Sequence, residues 1–232
     1  MKGVAIVTGG AGGIGRAVLT RLASDGFVTS SWDLSADAPA ELPMTVDVTD
    51  DVALAAAASI CVAAGPIRAL VVNAGILGPV AAIWELDPRD IRRVIETNLV
   101  SAFLTLRAVV PHMRANPPGR IVLIASIQAK EGTALSGPYG AAKAGMVGLA
   151  KTLGKELAEA GILVNAITPS VVRTAMEREI SEERRASLRA RIPMNRFAEP
   201  EEVAAMVSWL CGPECSFSTG AVFDLSGGRA TY

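Results

Sequence analysis

Strand-like and helical segments alternate along the whole of this 232-residue sequence. Short apolar runs predict strands at Val4–Val7, Val28–Trp32, Leu70–Val72, Arg120–Ala125, Leu163–Ile167 and Ala221–Asp224, and Met44–Val46 is a candidate for another. The segments between them predict helices at Ile14–Ser24, Asp51–Ala63, Arg89–Arg114, Tyr139–Ala160, Met176–Arg191 and Glu201–Leu210. Strands that alternate with helices form right-handed βαβ units. The sequence therefore predicts an α/β fold with a doubly wound parallel sheet and helices on both faces.

Length and composition indicate one domain that covers residues 1–232. Half of the residues are hydrophobic and 19% are charged, which leaves ample material for a buried core. A chain of this size fits one large domain better than two small ones. No internal repeat or low-complexity linker interrupts the pattern, so we expect no domain boundary.

The same properties argue against several classes of function. A net charge of −1 gives no basic stripe for a nucleic-acid backbone. The apolar stretch Val52–Trp84 is interrupted by glycine, proline and charged residues, and falls short of the roughly 20 apolar residues of a membrane span. Since a strand begins almost at the first residue, we expect no signal peptide and a cytoplasmic protein. Cys61, Cys211, Cys215 and the single histidine, His112, predict neither a disulfide framework nor a metal site.

A glycine-rich segment joins the first strand to the first helix. It reads Thr8-Gly9-Gly10-Ala11-Gly12-Gly13-Ile14-Gly15. A helix N-terminus offers unpaired N–H groups and a positive dipole end, and glycines let the backbone approach a phosphate. An ordinary βα turn is the plain alternative, but the position between the first strand and helix favours a pyrophosphate site of the Rossmann type.

Asp33 ends the second strand, 18 residues after Gly15. A carboxylate there accepts hydrogen bonds from both hydroxyls of an adenosine ribose and repels a 2′-phosphate. No Arg or Lys flanks Asp33, and Gly12 leaves no basic side chain in the glycine-rich segment. The sequence thus favours NAD over NADP, with a solvated turn residue as the plain alternative for Asp33.

A second group of polar residues is Ser126, Tyr139 and Lys143. Ser126 follows an apolar strand, and Tyr139 and Lys143 share one helix face because they are four residues apart. An ammonium beside a phenol favours the phenolate. A fall of about three from the tyrosine pKa of about 10 needs roughly 4 kcal/mol, which Lys143 and an oxidised nicotinamide could supply together. Alone, such a Tyr–Lys pair is usually exposed and without a role.

Together with Asn73-Ala74-Gly75 and Asn98, these motifs occur in the order and rough spacing found in the short-chain dehydrogenase/reductase family. The chain resembles the classical type of this family over essentially its whole length. The resemblance implies a Rossmann-type single domain and an NAD(P)-dependent enzyme that acts on CH–OH groups of a small molecule. Pro169-Ser170, where many members have Pro-Gly, and Val72-Asn73, where many have two asparagines, are departures that remove no catalytic group.

The resemblance also implies residue roles. Ser126 holds the substrate oxygen, Tyr139 exchanges its proton, Lys143 tunes Tyr139 and binds the nicotinamide ribose, and Asn98 places a water that relays protons. The residues implied to bind the cofactor are Gly9, Gly13, Ile14, Gly15, Asp33, Asp47, Val48, Asn73, Ala74, Gly75, Tyr139, Lys143, Pro169, Val172 and Thr174. No role is implied for a metal ion.

Substrate recognition is expected at Ser126, Tyr139, Gln128, Lys130 and Arg173. The last three suit a carboxylate or several hydroxyls. The loop Ile127–Gly132 and the ending Phe217–Tyr232 resemble those of family members that oxidise deoxy sugar acids. The hypothesis is a sugar acid or another polyol-like substrate; solvated side chains without a role are the alternative.

Two further features follow from the resemblance. The segment at about 173–195 is expected to form a lid over the cofactor, and the assembly is expected to be a homotetramer, with a dimer as second choice. Three alternative functions stay open: a 3-oxoacyl-(acyl carrier protein) reductase-like enzyme, a non-catalytic dinucleotide sensor, and a sugar epimerase or dehydratase. Sensors typically lose Tyr or Lys, and the epimerases usually need a longer C-terminal domain.

Overall fold

A computed structural model of the chain describes residues 3–174 and 182–230. Its strands are β1 (Val4–Thr8), β2 (Val28–Asp33), β3 (Leu42–Thr45), β4 (Ile67–Val72), β5 (Gly119–Ile124), β6 (Ile162–Pro169) and β7 (Val222–Leu225). Its helices are α1 (Gly13–Ser24), α2 (Asp51–Ala64), α3 (Pro88–Ile95), α4 (Ser101–Ala115), α5 (Gln128–Glu131), α6 (Gly137–Glu156), α7 (Glu182–Ala190) and α8 (Pro200–Cys211). A π-helical turn, Glu96–Val100, joins α3 to α4.

The strands form one parallel sheet in the order β3-β2-β1-β4-β5-β6-β7. The chain builds outwards from β1 to β3 and then crosses back to β4, so the order reverses between β1 and β4. A crevice forms at such a switch point, beyond the carboxyl ends of the strands. The predicted doubly wound fold is confirmed.

A hydrophobic core lies on each face of the sheet. Helices α2, α4 and α6 cover one face, where Trp32, Leu70 and Leu123 are fully buried. Helices α1 and α8 cover the other face, where Val7 and Val71 lie against their apolar side chains. Because both faces are covered, β1, β4 and β5 are mainly apolar, whereas β2 buries the small polar residues Thr29, Ser30 and Ser31. The carboxyl edge of the sheet is left for polar groups.

Some predicted bounds differ from those observed. The predicted helix Arg89–Arg114 contains the π-helical turn, and the candidate strand Met44–Val46 is found as β3, an edge strand that tolerates Pro43. The predicted helix Met176–Arg191 is described only over α7, since residues 175–181 lie outside the described part.

One helical stretch, Pro88–Ala115, is long and apolar enough to cross a membrane by length and composition. Of its most apolar window, 39% is buried within the fold, and Val109 and Met113 belong to the core. A helix that packs on a sheet passes the same test, so this stretch carries no argument for a membrane.

Candidate active site

The glycine-rich segment connects β1 to α1 at the switch point. Gly9 has a φ of 68°, in the left-handed region that favours glycine. A Cβ on Gly15 would lie 2.1 Å from the Gly9 carbonyl oxygen, so no larger residue fits there without moving the loop. The N-cap residue is Gly12, which has no side chain to occupy the helix N-terminus, and the first turn of α1 has no acidic residue. The helix N-terminus is thus suited to a pyrophosphate.

Asp33 lies beside this segment at the end of β2. Its carboxylate accepts hydrogen bonds from the Ala11 amide and from the Ser35 amide, each at 3.0 Å. These two bonds hold the carboxylate where the hydroxyls of a ribose would meet it. A carboxylate fixed in this way suits a dinucleotide whose adenosine ribose carries no 2′-phosphate.

Arg16 is a nearby charged residue whose position the glycine pattern does not predict. Its Nε donates to the Ala11 carbonyl at 3.0 Å, and its Nη2 lies 2.7 Å from a carboxylate oxygen of Asp37. The sequence signal was available, since Arg16 directly follows the last glycine of the loop. The ion pair with Asp37 offsets the positive charge that the guanidinium brings near Asp33.

Asn73 ties β4 to β1. Its amide N–H donates to the Thr8 hydroxyl at 2.9 Å, and its side-chain Nδ2 donates to the carbonyls of Thr8 and Gly9 at 3.1 Å each. The Ala74 amide also donates to Thr8, at 3.0 Å. These bonds keep the carboxyl ends of the two central strands together and fix the start of the glycine-rich segment.

Asp47 and Val48, expected at the adenine end, follow β3. Asp47 is exposed and accepts hydrogen bonds from the amide and hydroxyl of Thr49, which lower the pKa of its carboxyl. Val48 is buried in the core on the α2 side. Their contact with an adenine ring stays a prediction.

Ser126, Tyr139 and Lys143 meet beyond the end of β5. The Ser126 hydroxyl lies close enough to the Tyr139 phenol to lower the pKa of that phenol. The Lys143 ammonium lies 5.7 Å from the centre of the Tyr139 ring and donates to the Ile124 carbonyl at 2.8 Å. Ser126 Oγ in turn accepts a hydrogen bond from the backbone N–H of Gln128 at 3.2 Å. The structure therefore brings the three predicted groups into one cluster.

Asn98 lies in the π-helical turn and is buried. Its Nδ2 donates to the carbonyls of Ile76 and Val94 at 2.8 Å each, and its Oδ1 accepts from the Ile76 amide at 3.2 Å. A Cβ on Gly75 would lie 2.3 Å from Asn98 Oδ1 and 3.6 Å from Lys143 Nζ. Asn98 and Lys143 therefore pack around the same glycine, which needs to be small.

Burial dominates the proton affinities in this cluster. It raises the pKa of the Tyr139 phenol, which the hydrogen bond from Ser126 partly offsets, and it lowers the pKa of Lys143 from 10.5 to about 8. The expected acidification of Tyr139 is therefore not reached by the protein alone. The positive charge of an oxidised nicotinamide is the contribution that the protein by itself does not supply.

The segment after β6 carries the residues expected at the nicotinamide. The Pro169 carbonyl accepts from the Ile127 amide at 2.8 Å, and Val172 is buried and bridges to Ala198. Thr174 packs against the glycine-rich segment, since a Cβ on Gly13 would lie 2.7 Å from its methyl group. The segment that follows β6 thus reaches the glycine-rich segment.

The three predicted substrate residues differ in their surroundings. Gln128 Oε1 is buried and has no hydrogen-bond partner among the described residues. Lys130 Nζ lies 3.2 Å from a carboxylate oxygen of Asp224, and its side chain is 11% exposed. Arg173 Nη1 lies 2.9 Å from Glu199, and its side chain is 59% exposed. Within residues 3–174 and 182–230, no group of three or more His, Cys, Asp or Glu side chains is placed to hold a metal ion.

Comparison with known proteins shows which proteins the chain is similar to over its length. A family model described as enoyl-(acyl carrier protein) reductase matches residues 9–230. The chain is 42% identical to 2-dehydro-3-deoxy-L-rhamnonate dehydrogenase (NAD(+)) of Sphingomonas sp., covering 98% of this chain and 95% of that protein. It is 38% identical to cis-4-hydroxycyclohexanecarboxylate dehydrogenase of Sinomonas cyclohexanicum, covering 97% and 95%. It is 34% identical to a 3-oxoacyl-[acyl-carrier-protein] reductase of Thermotoga maritima, covering 97% and 96%.

Solved structures are similar over the same extent. The 3-ketoacyl-(acyl-carrier-protein) reductase of Brucella melitensis in complex with NADH matches with a TM-score of 0.91 at 27% identity, covering 99% of this chain and 98% of that one. A variant of actinorhodin polyketide ketoreductase with NADPH matches with a TM-score of 0.92 at 35% identity, covering 100% and 98%. The similarity thus includes the sheet, the glycine-rich segment and the cluster beyond β5.

Proposed function

The chain belongs to the short-chain dehydrogenase/reductase family, and we propose that it interconverts a secondary alcohol and a ketone on a hydroxylated carboxylic acid, with NAD as the hydride carrier. The observation that carries the proposal is the cluster of Ser126, Tyr139 and Lys143 in the crevice that the glycine-rich segment borders. A phenol, a hydroxyl and a lysine in contact there are the groups that proton transfer to or from a carbonyl oxygen needs.

NAD, when bound, supplies the acceptor for the hydride. The glycine-rich segment, with Gly9, Gly13, Ile14 and Gly15, would hold its pyrophosphate, and Asp33 its adenosine ribose. Asp47, Val48, Asn73, Ala74, Gly75, Pro169, Val172 and Thr174 would line the rest of the cofactor crevice.

The protein's own part in the oxidation is proton transfer. Ser126 Oγ orients the substrate hydroxyl, and the phenolate oxygen of Tyr139 takes its proton as the C–H bond breaks. Lys143, whose pKa is about 8, is placed to exchange protons near neutral pH, and it would also contact the nicotinamide ribose. Asn98 would position the water that returns the proton to solvent. In the reverse direction Tyr139 donates its proton to the carbonyl oxygen.

The geometry of Asp33 supports NAD over NADP. Its carboxylate is fixed by two backbone N–H groups, so a 2′-phosphate would face a negative charge that cannot easily move away. Arg16, the basic side chain beside the loop, is paired with Asp37. The Sphingomonas relative is by name an NAD(+) enzyme, which agrees with this choice.

A hydroxylated carboxylic acid is supported by two relatives and by Gln128. The Sphingomonas and Sinomonas relatives are by name dehydrogenases of 2-dehydro-3-deoxy-L-rhamnonate and of cis-4-hydroxycyclohexanecarboxylate. The unpartnered oxygen of Gln128, two residues after Ser126, is an acceptor for a substrate hydroxyl. Arg173 is a better carboxylate ligand than Lys130, because its ion pair is more exposed and more easily exchanged.

A panel of substrates tests the proposal. Formation or loss of NADH would be followed with deoxy sugar acids, 4-hydroxycyclohexanecarboxylate, 3-oxoacyl thioesters and neutral secondary alcohols, each also with NADP. We expect NAD-linked turnover of hydroxy acids. Turnover of thioesters alone would identify a 3-oxoacyl reductase, and dinucleotide binding without turnover of any substrate would identify a sensor.

Arg173→Ala tests the carboxylate contact, and Arg93→Ala is its control. Arg93 is an exposed arginine of α3 that pairs with Asp90, so it matches Arg173 in charge and exposure. Arg173→Ala is expected to raise KM for the acid substrate by about tenfold, as for one charged contact, and to leave a neutral alcohol unaffected. An equal loss on both substrates would remove Arg173 from the site.

We further propose a cytoplasmic homotetramer. Phe103, Trp209 and Phe217 are large apolar side chains with exposed fractions of 51%, 41% and 103%, and Trp209 stacks edge-on against Phe223 of β7. Exposed apolar side chains of this kind suit interfaces between subunits. Light scattering should give a mass four times the 24.0 kDa of the chain, and a mass of twice that value would indicate the dimer instead.

A further inference from the structure

Helix α5 begins two residues after Ser126 and is anchored at its far end by an ion pair between Glu131 and Arg229, which follows β7. Arg229 Nη2 lies 2.7 Å from Glu131 Oε2, and Arg229 Nε donates to both carboxylate oxygens, at 3.0 and 3.3 Å. The Arg229 side chain is 5% exposed and that of Glu131 is 21% exposed. An ion pair this enclosed fixes its two partners more firmly than a surface pair does.

The tail that carries Arg229 is itself held in place. Asp224 Oδ2 accepts from the Ser226 hydroxyl at 2.5 Å, and the Ser226 oxygen accepts from the Ala230 amide at 3.0 Å. The other oxygen of Asp224 lies 3.2 Å from Lys130 Nζ. Two neighbouring residues of α5 are thus bound to residues close to 100 positions later in the chain.

At its near end, α5 determines where Ser126 lies. The Gln128 amide donates to Ser126 Oγ, and the Ile127 amide donates to the Pro169 carbonyl. Ser126 in turn acts on Tyr139, since its hydroxyl lowers the pKa of the phenol. A shift of α5 would therefore move the hydroxyl that orients the substrate.

Glu131 also contacts the segment that follows α7. Arg191 Nη2 lies 3.6 Å from Glu131 Oε2, and its side chain is half-exposed. The Glu131 carboxylate on α5 thus contacts both Arg229 of the tail and Arg191, at the end of the segment expected to form the lid.

We propose that Glu131 and Arg229 are positioning residues of the active site, which hold α5 so that Ser126 stays aligned with Tyr139. The proposal rests on the proposed function, because it assigns these residues a role in that reaction. It assigns Lys130 to the same anchor through Asp224, rather than to substrate binding. Arg191 extends the anchor to the end of the expected lid.

Arg229→Met, Glu131→Gln and the double variant test the anchor, with Arg229→Lys as the conservative variant and Arg93→Met as the control. Misplacement of a reacting group costs rate steeply, so Arg229→Met and Glu131→Gln should each lower kcat by about tenfold or more at saturating substrate and NAD. The double variant should lose no more than the worse single variant, because both remove one contact. Arg229→Lys should recover much of the rate, and Arg93→Met should match the wild type.

The pH profile separates positioning from a general loss of structure. The Ser126 hydrogen bond lowers the pKa of Tyr139, and Lys143 is the titratable group beside that phenol. If Ser126 is displaced, the rise of kcat with pH in alcohol oxidation should move to higher pH in Arg229→Met. The charged groups that face Glu131 are Arg229 and Arg191. Because Glu131→Gln removes the same anchor of α5, it should shift the profile in the same direction.

The outcomes are distinguishable. If the wild type shows no NAD-linked turnover, the proposed function fails. If the wild type is active and the two variants keep its kcat and pH profile while only their Tm falls, the ion pair is structural and the inference fails. Additive losses of kcat in the double variant would also contradict the inference. If Arg229→Met does not fold, Glu131→Gln and Arg229→Lys carry the same test.

Discussion

Lys143 should destabilise the folded protein at neutral pH, and replacing it should show this. Lys143 is 4% exposed, and burial lowers its pKa from 10.5 to about 8. Each tenfold change in proton affinity corresponds to about 1.4 kcal/mol, so the charged form is disfavoured by about 3 kcal/mol in the folded state. The hydrogen bond to the Ile124 carbonyl gives back about 1 kcal/mol that a variant would lose. Lys143→Met should therefore gain about 2 kcal/mol in the free energy of unfolding near pH 7.

The pH dependence of this gain has a definite sign. Below pH 8 both the folded and unfolded forms of the wild type carry the ammonium, so the whole penalty is present. Between about pH 8 and 10.5 the folded form releases the proton before the unfolded form does, and the stability of the wild type rises with pH. The advantage of Lys143→Met should shrink across this window.

Urea unfolding at a fixed protomer concentration, measured at several pH values from 6.5 to about 10, would give the free energies. Lys151→Met is the matched control, because Lys151 is an exposed lysine of the same helix. Its effect should stay within about 0.5 kcal/mol at every pH. A Lys143→Met variant that is less stable than the wild type at pH 7, or whose difference does not change with pH, would refute the reasoning. The same variant should lose turnover.

Three further predictions concern the glycine-rich segment, the cofactor and α8. Gly15→Ala should abolish NAD binding as measured by calorimetry, since its Cβ would lie 2.1 Å from a loop carbonyl. Gly148→Ala is the control in a thermal melt: nothing lies within 4 Å of its Cβ, so it should stabilise α6 by up to about 1 kcal/mol. Asp33→Ala should raise KM for NAD by about tenfold and improve the use of NADP in steady-state assays, because ribose hydrogen bonds and the repulsion of a 2′-phosphate are both lost. Arg196 lowers the pKa of Glu202 to about 2, so the stability from this pair is present above pH 4.5 and is lost as the pH falls towards 2. In Glu202→Gln the free energy of unfolding should fall less steeply between these pH values. The difference should be less than about 1 kcal/mol, because both side chains are about 40% exposed.

Each of these has a contrary result. NAD binding by Gly15→Ala would show that the loop relaxes around a methyl group, and unchanged cofactor preference in Asp33→Ala would place the adenosine ribose elsewhere. An unaltered acid limb in Glu202→Gln would mean that other carboxylates determine acid stability.

The fold could be predicted because its signals are local. Most of the buried parallel strands are short apolar runs, and a helical segment separates most of them from the next, so the order of elements is visible in the sequence. The connection from β2 to β3 is an exception, since it contains no helix. The glycine-rich segment and the Tyr139–Lys143 spacing are also local, since one lies in a single turn and the other on one helix face.

The remaining features depend on tertiary contacts. The π-helical turn at Asn98 was missed because its hydrogen bonds to Ile76 come from another part of the chain, and apolar periodicity does not register one inserted residue. The sequence predicts a substrate contact for Lys130 and does not reveal its ion pair, because the partner Asp224 is 94 residues away. The raised pKa of Tyr139 likewise follows from burial, which residue spacing does not reveal.

The acid–base role of Tyr139 is tested most directly by Tyr139→Phe, which removes one oxygen and leaves the ring in place. Kinetics on the hydroxy acid with the highest turnover, together with NAD titration by calorimetry, would separate chemistry from binding. A fall in kcat of about 10²–10⁴, the usual contribution of a positioned acid–base group, with NAD still bound, is the predicted result. Turnover by the phenylalanine variant at the rate of the wild type would contradict the account.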